Sequence, residues 1–229
     1  SITPSASSVS GLVVSHSGAC NFTFSFVRIT TIGSNISGNG IAIIKTSTGV
    51  MTLNGDLLCN TSANGFNMSL LYLGAAGTTI INGNILAGSS GSSGIAPGVW
   101  VAATGNLTIT GNVNGSTGNT ISYGIYCVAN ITVNITGNVI GGVSSGVFAT
   151  TGTFNITGSL TGGSSNAAIN GSGTVNVTGT ITGGTTNGSV GVVITGGIFN
   201  HIGTVQASAF ASGVYCAAPT TSTVTCTGP

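Results

Sequence analysis

Carboxylates are almost missing from this chain: Asp56 is the one acidic residue among 229, and glutamate does not occur. Cations are nearly as scarce, being limited to Arg28 and Lys45, so charged residues make up 1%. About a quarter is usual for a soluble domain. These shortages exclude chemistry. Glycoside hydrolysis ordinarily needs a pair of carboxylates, and a calcium site needs several carboxylate oxygens. A Ser-His-Asp arrangement would have to join Asp56 to His16 or His201, the only histidines, and no nucleophile motif accompanies either. Zinc takes three or four Cys, His or carboxylate ligands held close together, and the spacing collects no such set. The chain therefore reads as a non-enzyme without metal or cofactor. A net charge of +1 offers no electrostatic footprint for nucleic acid or an anionic membrane. No apolar run reaches the roughly 18 residues of a membrane-spanning helix.

Small residues are present in their place: 40 Gly, 29 Ser and 35 Thr. With 41% hydrophobic residues and almost no charge, the composition is the reverse of a disordered chain. Weak self-repulsion favours association. Copies are thus either separated by attached glycans or meant to assemble, and both readings place the protein outside the cell or on its surface. The five cysteines cannot all pair internally. Cys216 and Cys226, ten residues apart, are the candidate disulfide. Cys20 with Cys59 is a second possibility, and Cys127, among apolar neighbours, is expected as a buried free thiol.

A repeat organises the chain. Thr132–Gly137, Thr153–Gly158 and Thr174–Gly179 are nearly one hexapeptide, Thr-x-Asn-Ile/Val-Thr-Gly, and weaker copies surround them. Taking the terminal glycine as anchor gives the series Gly33, Gly55, Gly83, Gly111, Gly137, Gly158, Gly179, Gly203 and Gly228, with a mean spacing near 24 residues. Around each anchor, apolar and polar residues alternate, as in Phe154, Ile156 and Leu160, which reads as a half-buried strand. A second apolar patch follows a Gly-rich turn, as in Gly124-Ile-Tyr-Cys127. A propeller blade needs four strands in about 40–45 residues, which excludes that fold. The expectation is an all-β parallel β-solenoid of about eight or nine coils, preceded by an irregular, strand-rich cap or assembly segment over 1–27, with the repeats running over 28–229.

The Thr-x-Asn-Ile-Thr-Gly units and double-glycine turns resemble the degenerate repeats of extracellular β-solenoid proteins, including surface adhesins and fibre subunits. The resemblance covers residues 28–228 and implies architecture more than activity.

Stacked coils place equivalent residues in columns. Asn134, Asn155, Asn176 and Asn200 form an outward column whose amides can hydrogen-bond along the rod, flanked by Thr132, Thr153, Thr174 and by Thr136, Thr157, Thr178. His201 replaces an Ile in an inward column and is expected to be a hydrogen-bonded core residue, whereas His16 has no evident partner. Twelve Asn-x-Ser/Thr sequons occur. Those at Asn114, Asn170 and Asn187, expected in turns, have the most room for a glycan. The chain stops on Gly228-Pro229, halfway through a coil, and no charge follows Asp56 to guard a strand edge. The function these features predict is structural: head-to-tail stacking of copies into a filament or surface appendage. Carbohydrate binding through the Thr/Asn face is the alternative, and ice binding by the same face comes third.

Overall fold

The computed structural model describes residues 14–31, 41–59, 69–88, 95, 97–117, 121–164, 166–186, 189–207, 213–216 and 222–227. It is an all-β parallel β-solenoid, and no helix occurs among the described residues. The first rungs are β1 (Val14–His16) with β2 (Phe22–Thr31), then β3 (Ile41–Lys45) with β4 (Met51–Cys59). Six coils with three strands each follow. They begin with β5 (Ser69–Leu73), β6 (Thr78–Asn82) and β7 (Ile85–Leu86), then β8 (Val99–Val101), β9 (Gly105–Thr110) and β10 (Val113–Asn114). The third and fourth coils are β11 (Ile125–Cys127), β12 (Ile131–Thr136), β13 (Val139–Ile140), and β14 (Val147–Ala149), β15 (Thr153–Thr157), β16 (Leu160–Thr161). The fifth is β17 (Ile169–Gly171), β18 (Thr174–Thr178), β19 (Ile181–Thr182), and the sixth β20 (Val192–Ile194), β21 (Gly197–Ile202), β22 (Val205–Gln206). A last rung holds β23 (Val214–Cys216) and β24 (Ser222–Thr227).

Each strand pairs in parallel with its equivalent one coil away. The first strands of the coils make a nine-stranded sheet from β1 to β23. The second strands stack from β2 to β24, and the short third strands join them through the long β4. From Phe24 to Cys226 the register advances in eight steps of about 25 residues, with neighbours as far apart as Phe24↔Leu53 and as near as Ile135↔Ile156. The turns absorb this variation while the strands keep register, because a slip of one residue would turn every inward side chain to solvent.

The alternation read from the sequence sets the inside and outside. Leu53, Ile81, Ile109, Ile135, Ile156 and Val177 form one buried column, and Leu57, Ile85, Val113, Val139, Leu160 and Ile181 another. Inward residues of the nine-stranded sheet, among them Leu71, Val99, Ile125, Val147 and Val192, close the core from the opposite side. Outward residues of β15, Thr153, Asn155 and Thr157, stay partly or fully exposed.

The corner between the second and third strands depends on glycine. Gly55, Gly111, Gly137, Gly158, Gly179 and Gly203 hold φ between 137° and 147°, a region that side-chain-bearing residues rarely adopt. A Cβ on Gly158 would also stand 2.2 Å from the carbonyl oxygen of Gly137. The coils can therefore stack at strand spacing only where this atom is missing.

Two sequence expectations change here. Gly33 is not the first anchor: the place opposite Gly55 is taken by Phe26, whose carbonyl oxygen lies 2.1 Å from a Cβ built on Gly55. The register shifts between Ser25 and Arg28, so a bulge turns the corner that glycine turns elsewhere. Gly33 itself, like Gly228, falls outside the described residues. The coils also begin before residue 28, since β1 pairs with β3 in register and β2 pairs with β4 on both sides of the bulge. Within residues 14–27 that bulge breaks the sequence pattern without breaking the ladder, and residues 1–13 lie outside the described residues.

Candidate functional site

The most regular surface is the outer face of the second-strand sheet. Its central column is hydrogen-bonded along the rod: the Asn155 amide donates to Asn134 (2.8 Å), Asn176 to Asn155 (2.7 Å) and Asn200 to Asn176 (2.8 Å). The flanking Thr columns are in strand register, Thr132↔Thr153↔Thr174 on one side and Thr136↔Thr157↔Thr178 on the other. One coil further the pattern becomes Ile198, Asn200 and Ile202, with both isoleucines exposed. The face thus carries hydroxyls and amides, is interrupted at one rung by two isoleucines, and returns to Thr223, Thr225 and Thr227 in the last rung.

A second ladder, which the sequence reading missed, runs along the glycine corner. Asp56 Oδ1 accepts from the Asn84 backbone N–H (2.8 Å) and from its side-chain amide (3.0 Å). Asn84 accepts from the Asn112 N–H (2.9 Å), Asn112 from Asn138 (2.9 Å) and Asn138 from Ser159 (2.8 Å). The signal was the residue following each anchor glycine. In this place the one carboxylate of the chain satisfies turn N–H groups.

The largest departure from the sequence reading is at the first coils, where His16, Lys45 and Ser47 come together inside. All three are buried, with Lys45 only 1% exposed. His16 lies beside Lys45 because β1 pairs with β3. Its Nε2–H donates to the Cys20 carbonyl (2.8 Å), which leaves Nδ1 to accept from the Ser47 hydroxyl (2.9 Å). The Lys45 ammonium donates to the carbonyls of Ser47 and Ala76, the latter at 3.1 Å. Burial lowers the Lys45 pKa, since taking the amine out of water disfavours its charged form. A serine bonded to a histidine is the beginning of a nucleophile. Here, however, both side chains are sealed inside the coil, and Asp56 is engaged with Asn84 instead.

His201 occupies the inward place its column assigned: it is buried, its Nε2 bonds the Gly179 carbonyl (2.8 Å), and its ring stacks on Phe199. Cys127 is a buried free thiol that donates to the Ala129 carbonyl (3.2 Å), and burial pushes its pKa up. The expected Cys216–Cys226 bridge is not formed, since Cys226 is a free, exposed thiol; the Cys216 side chain lies outside the described residues. Cys20 is likewise free and exposed, so it makes no bridge to Cys59. Asn114 and Asn170 sit in strands β10 and β17 and not in turns, and Asn114 Oδ1 is buried without a partner. Both are half-buried, whereas the sequon residues Asn106 and Asn130 are exposed. Asn187 lies outside the described residues.

The nine-stranded sheet carries an outward aromatic column that the sequence reading also missed. Tyr72, Trp100, Tyr126 and Phe148 stand in register, with centroids 5.7, 5.5 and 5.4 Å apart, and Tyr123 stacks on Tyr126 and lies tilted against Phe148. Each ring is half-buried by its neighbours. Burial and the adjacent Tyr126 raise the Tyr123 pKa.

The two ends of the rod differ from its middle. Inward residues of the central coils are 0–5% exposed. At the first rung, however, Phe22, Phe24 and Phe26 are only partly buried, with centroids 6.1 and 5.1 Å apart and His16 stacked on Phe22. At the last, Val205 and Val214 are partly buried, while Tyr215 and Cys226 are exposed. No described strand pairs with the outer edges of β1, β2, β23 or β24.

These features define the class: the protein is a parallel β-solenoid with ladder-stabilised faces. Compared with protein-family models, curated proteins and solved structures, the chain has no match in any of the three.

Proposed function

We propose that the protein is a structural subunit of an extracellular filament or surface appendage, built by end-to-end stacking of solenoids. The observation that carries this reading is the unfinished core at both ends. Inward columns of the central coils are closed, but no described strand covers the apolar side chains and backbone edges of the terminal rungs. One contact between the two kinds of end satisfies both. An in-line joint of this kind does not close on itself, so it propagates. The scarcity of charge agrees with it, because neither end carries the exposed lysines that usually guard strand edges. The same reading accommodates glycans at Asn106 and Asn130, which have room that the laddered asparagines lack.

The test is electron microscopy of the native protein without denaturant. Fibres with an axial repeat of about 43 Å, nine strand spacings of ~4.8 Å, are the expected outcome. Isolated short rods over a wide concentration range would overturn the reading and make the Thr/Asn face the place to look for a carbohydrate ligand.

A further inference from the structure

We infer that the joint between copies keeps strand register, with β24 of one copy pairing in parallel with β2 of the next so that Thr225, Cys226 and Thr227 lie against Thr23, Phe24 and Ser25. This rests on the filament reading and specifies the partner surface it requires. The registers inside the chain define the columns. Phe24 heads the inward column that runs through Leu53, and His201↔Cys226 ends the same column. Each of the eight steps between them is a coil-on-coil contact of one kind, so the interface needed at the joint is already made repeatedly within one molecule.

Exposure singles out the same residues. His201, one rung earlier, is 2% exposed, but Cys226 in the same column is exposed, with no described strand on its outer side. Phe24 is half-buried at the opposite end, likewise with no described strand on its outer side. The outward neighbours Thr23, Ser25, Thr225 and Thr227 are all exposed, so polar residues face one another on the outside of the joint. Other registers fare worse. A slip of one residue turns Phe24 to solvent and brings threonines inward. A slip of two keeps the faces but must occur in both sheets at once. It would leave β23 and β1, three residues each, with a single paired position.

The joint is tested by disulfide trapping. The parent variant carries Cys20→Ser and Cys226→Ser, and Thr23→Cys with Thr225→Cys is added to it. In the inferred register the two new thiols sit on neighbouring strands about 4.8 Å apart, within the Cα range a disulfide spans. Mild oxidation is expected to give a reducible ladder of covalent oligomers from this variant. The parent is expected to give none, and neither is Thr23→Cys with Thr227→Cys, whose offset of two residues puts the Cα atoms about 8 Å apart. Ser25→Cys with Thr227→Cys is a second in-register pair and reads the same joint if the first variant does not fold. Fibres that form without a ladder from either in-register pair, or a ladder from the offset pair, overturn the register and leave the filament reading standing. Wild-type protein that forms no fibres removes both.

Discussion

At the scale of single residues, the missing Cβ and the missing counter-ion govern most of the behaviour. Gly158→Ala places a methyl group 2.2 Å from a carbonyl oxygen at a φ of 143°. It is expected to cost about 1–3 kcal/mol of stability, read as a lower urea midpoint. Gly196→Ala is the control: its Cβ would meet only the Ser172 Cβ, at 3.4 Å, and the midpoint should stay within about 0.5 kcal/mol. Lys45 makes a different prediction. The folded chain disfavours its charged form, whereas the unfolded chain holds the proton up to the ordinary value of 10.5. The unfolded state therefore binds more protons across the window just below 10.5, and stability rises with pH there. The buried Cys127 thiol opposes this, because its pKa is raised from 9.0 and the unfolded chain loses that proton first. The lysine is isolated by comparison with Lys45→Met: from about pH 8 to about pH 10, denaturant midpoints of the wild type should gain on those of the variant. Parallel curves would show that Lys45 does not titrate in that way. Thiol labelling is simpler to read. Cys20 and Cys226 should react in the folded, unassembled protein, and Cys127 only on unfolding.

At the scale of elements, the ladders hold the faces and the inward columns hold the coils. Asn155 is bonded to both of its column neighbours, so Asn155→Ala removes two hydrogen bonds, each worth about 0.5–1.5 kcal/mol net. Its thermal midpoint should fall, while that of Asn130→Ala, at an exposed turn, should not move. Ile156→Ala in the adjacent buried column should cost about 2–5 kcal/mol. Equal effects for Asn155 and Asn130 would mean that the ladder contributes nothing to stability. The ladder itself was legible, because Asn recurs three places before the anchors from Gly137 to Gly203 and strand period fixes the face. The corner ladder that starts at Asp56 was less so, since Asn changes to Ser and then Thr along it.

At the scale of the whole molecule, the rod is a stack of nearest-neighbour contacts whose first and last described rungs have a neighbour on one side only among the described strands. Arg28 in β2 is the one Lys, Arg or Asp residue in the four strands that meet at the joint, so assembly mainly through apolar and backbone contacts should depend only weakly on ionic strength. Screening acts on charge pairs, and the chain has almost none to screen. Fibre length or light scattering measured in dilute buffer and at about tenfold higher salt checks this. A strong salt dependence would place charged groups at the contact and count against the joint described above.

The sequence by itself determined the architecture. Strict alternation sorted inward from outward residues, the recurring glycine marked the corner of most coils, and equal column positions predicted which side chains stack. It did not determine the start of the coils, because a bulge at Phe26 replaces the glycine signal. The cluster of His16, Lys45 and Ser47 was also hidden: a lysine reads as a surface residue until register sets it in an inward column below Leu73. The aromatic column was hidden for a related reason, since Tyr72, Trp100, Tyr126 and Phe148 become neighbours only when four coils stack. Period along the chain is a local property that a sequence displays directly. Which turns lengthen, and therefore which distant residues share a rung, depends on how the coils close, and the tertiary structure alone decides it.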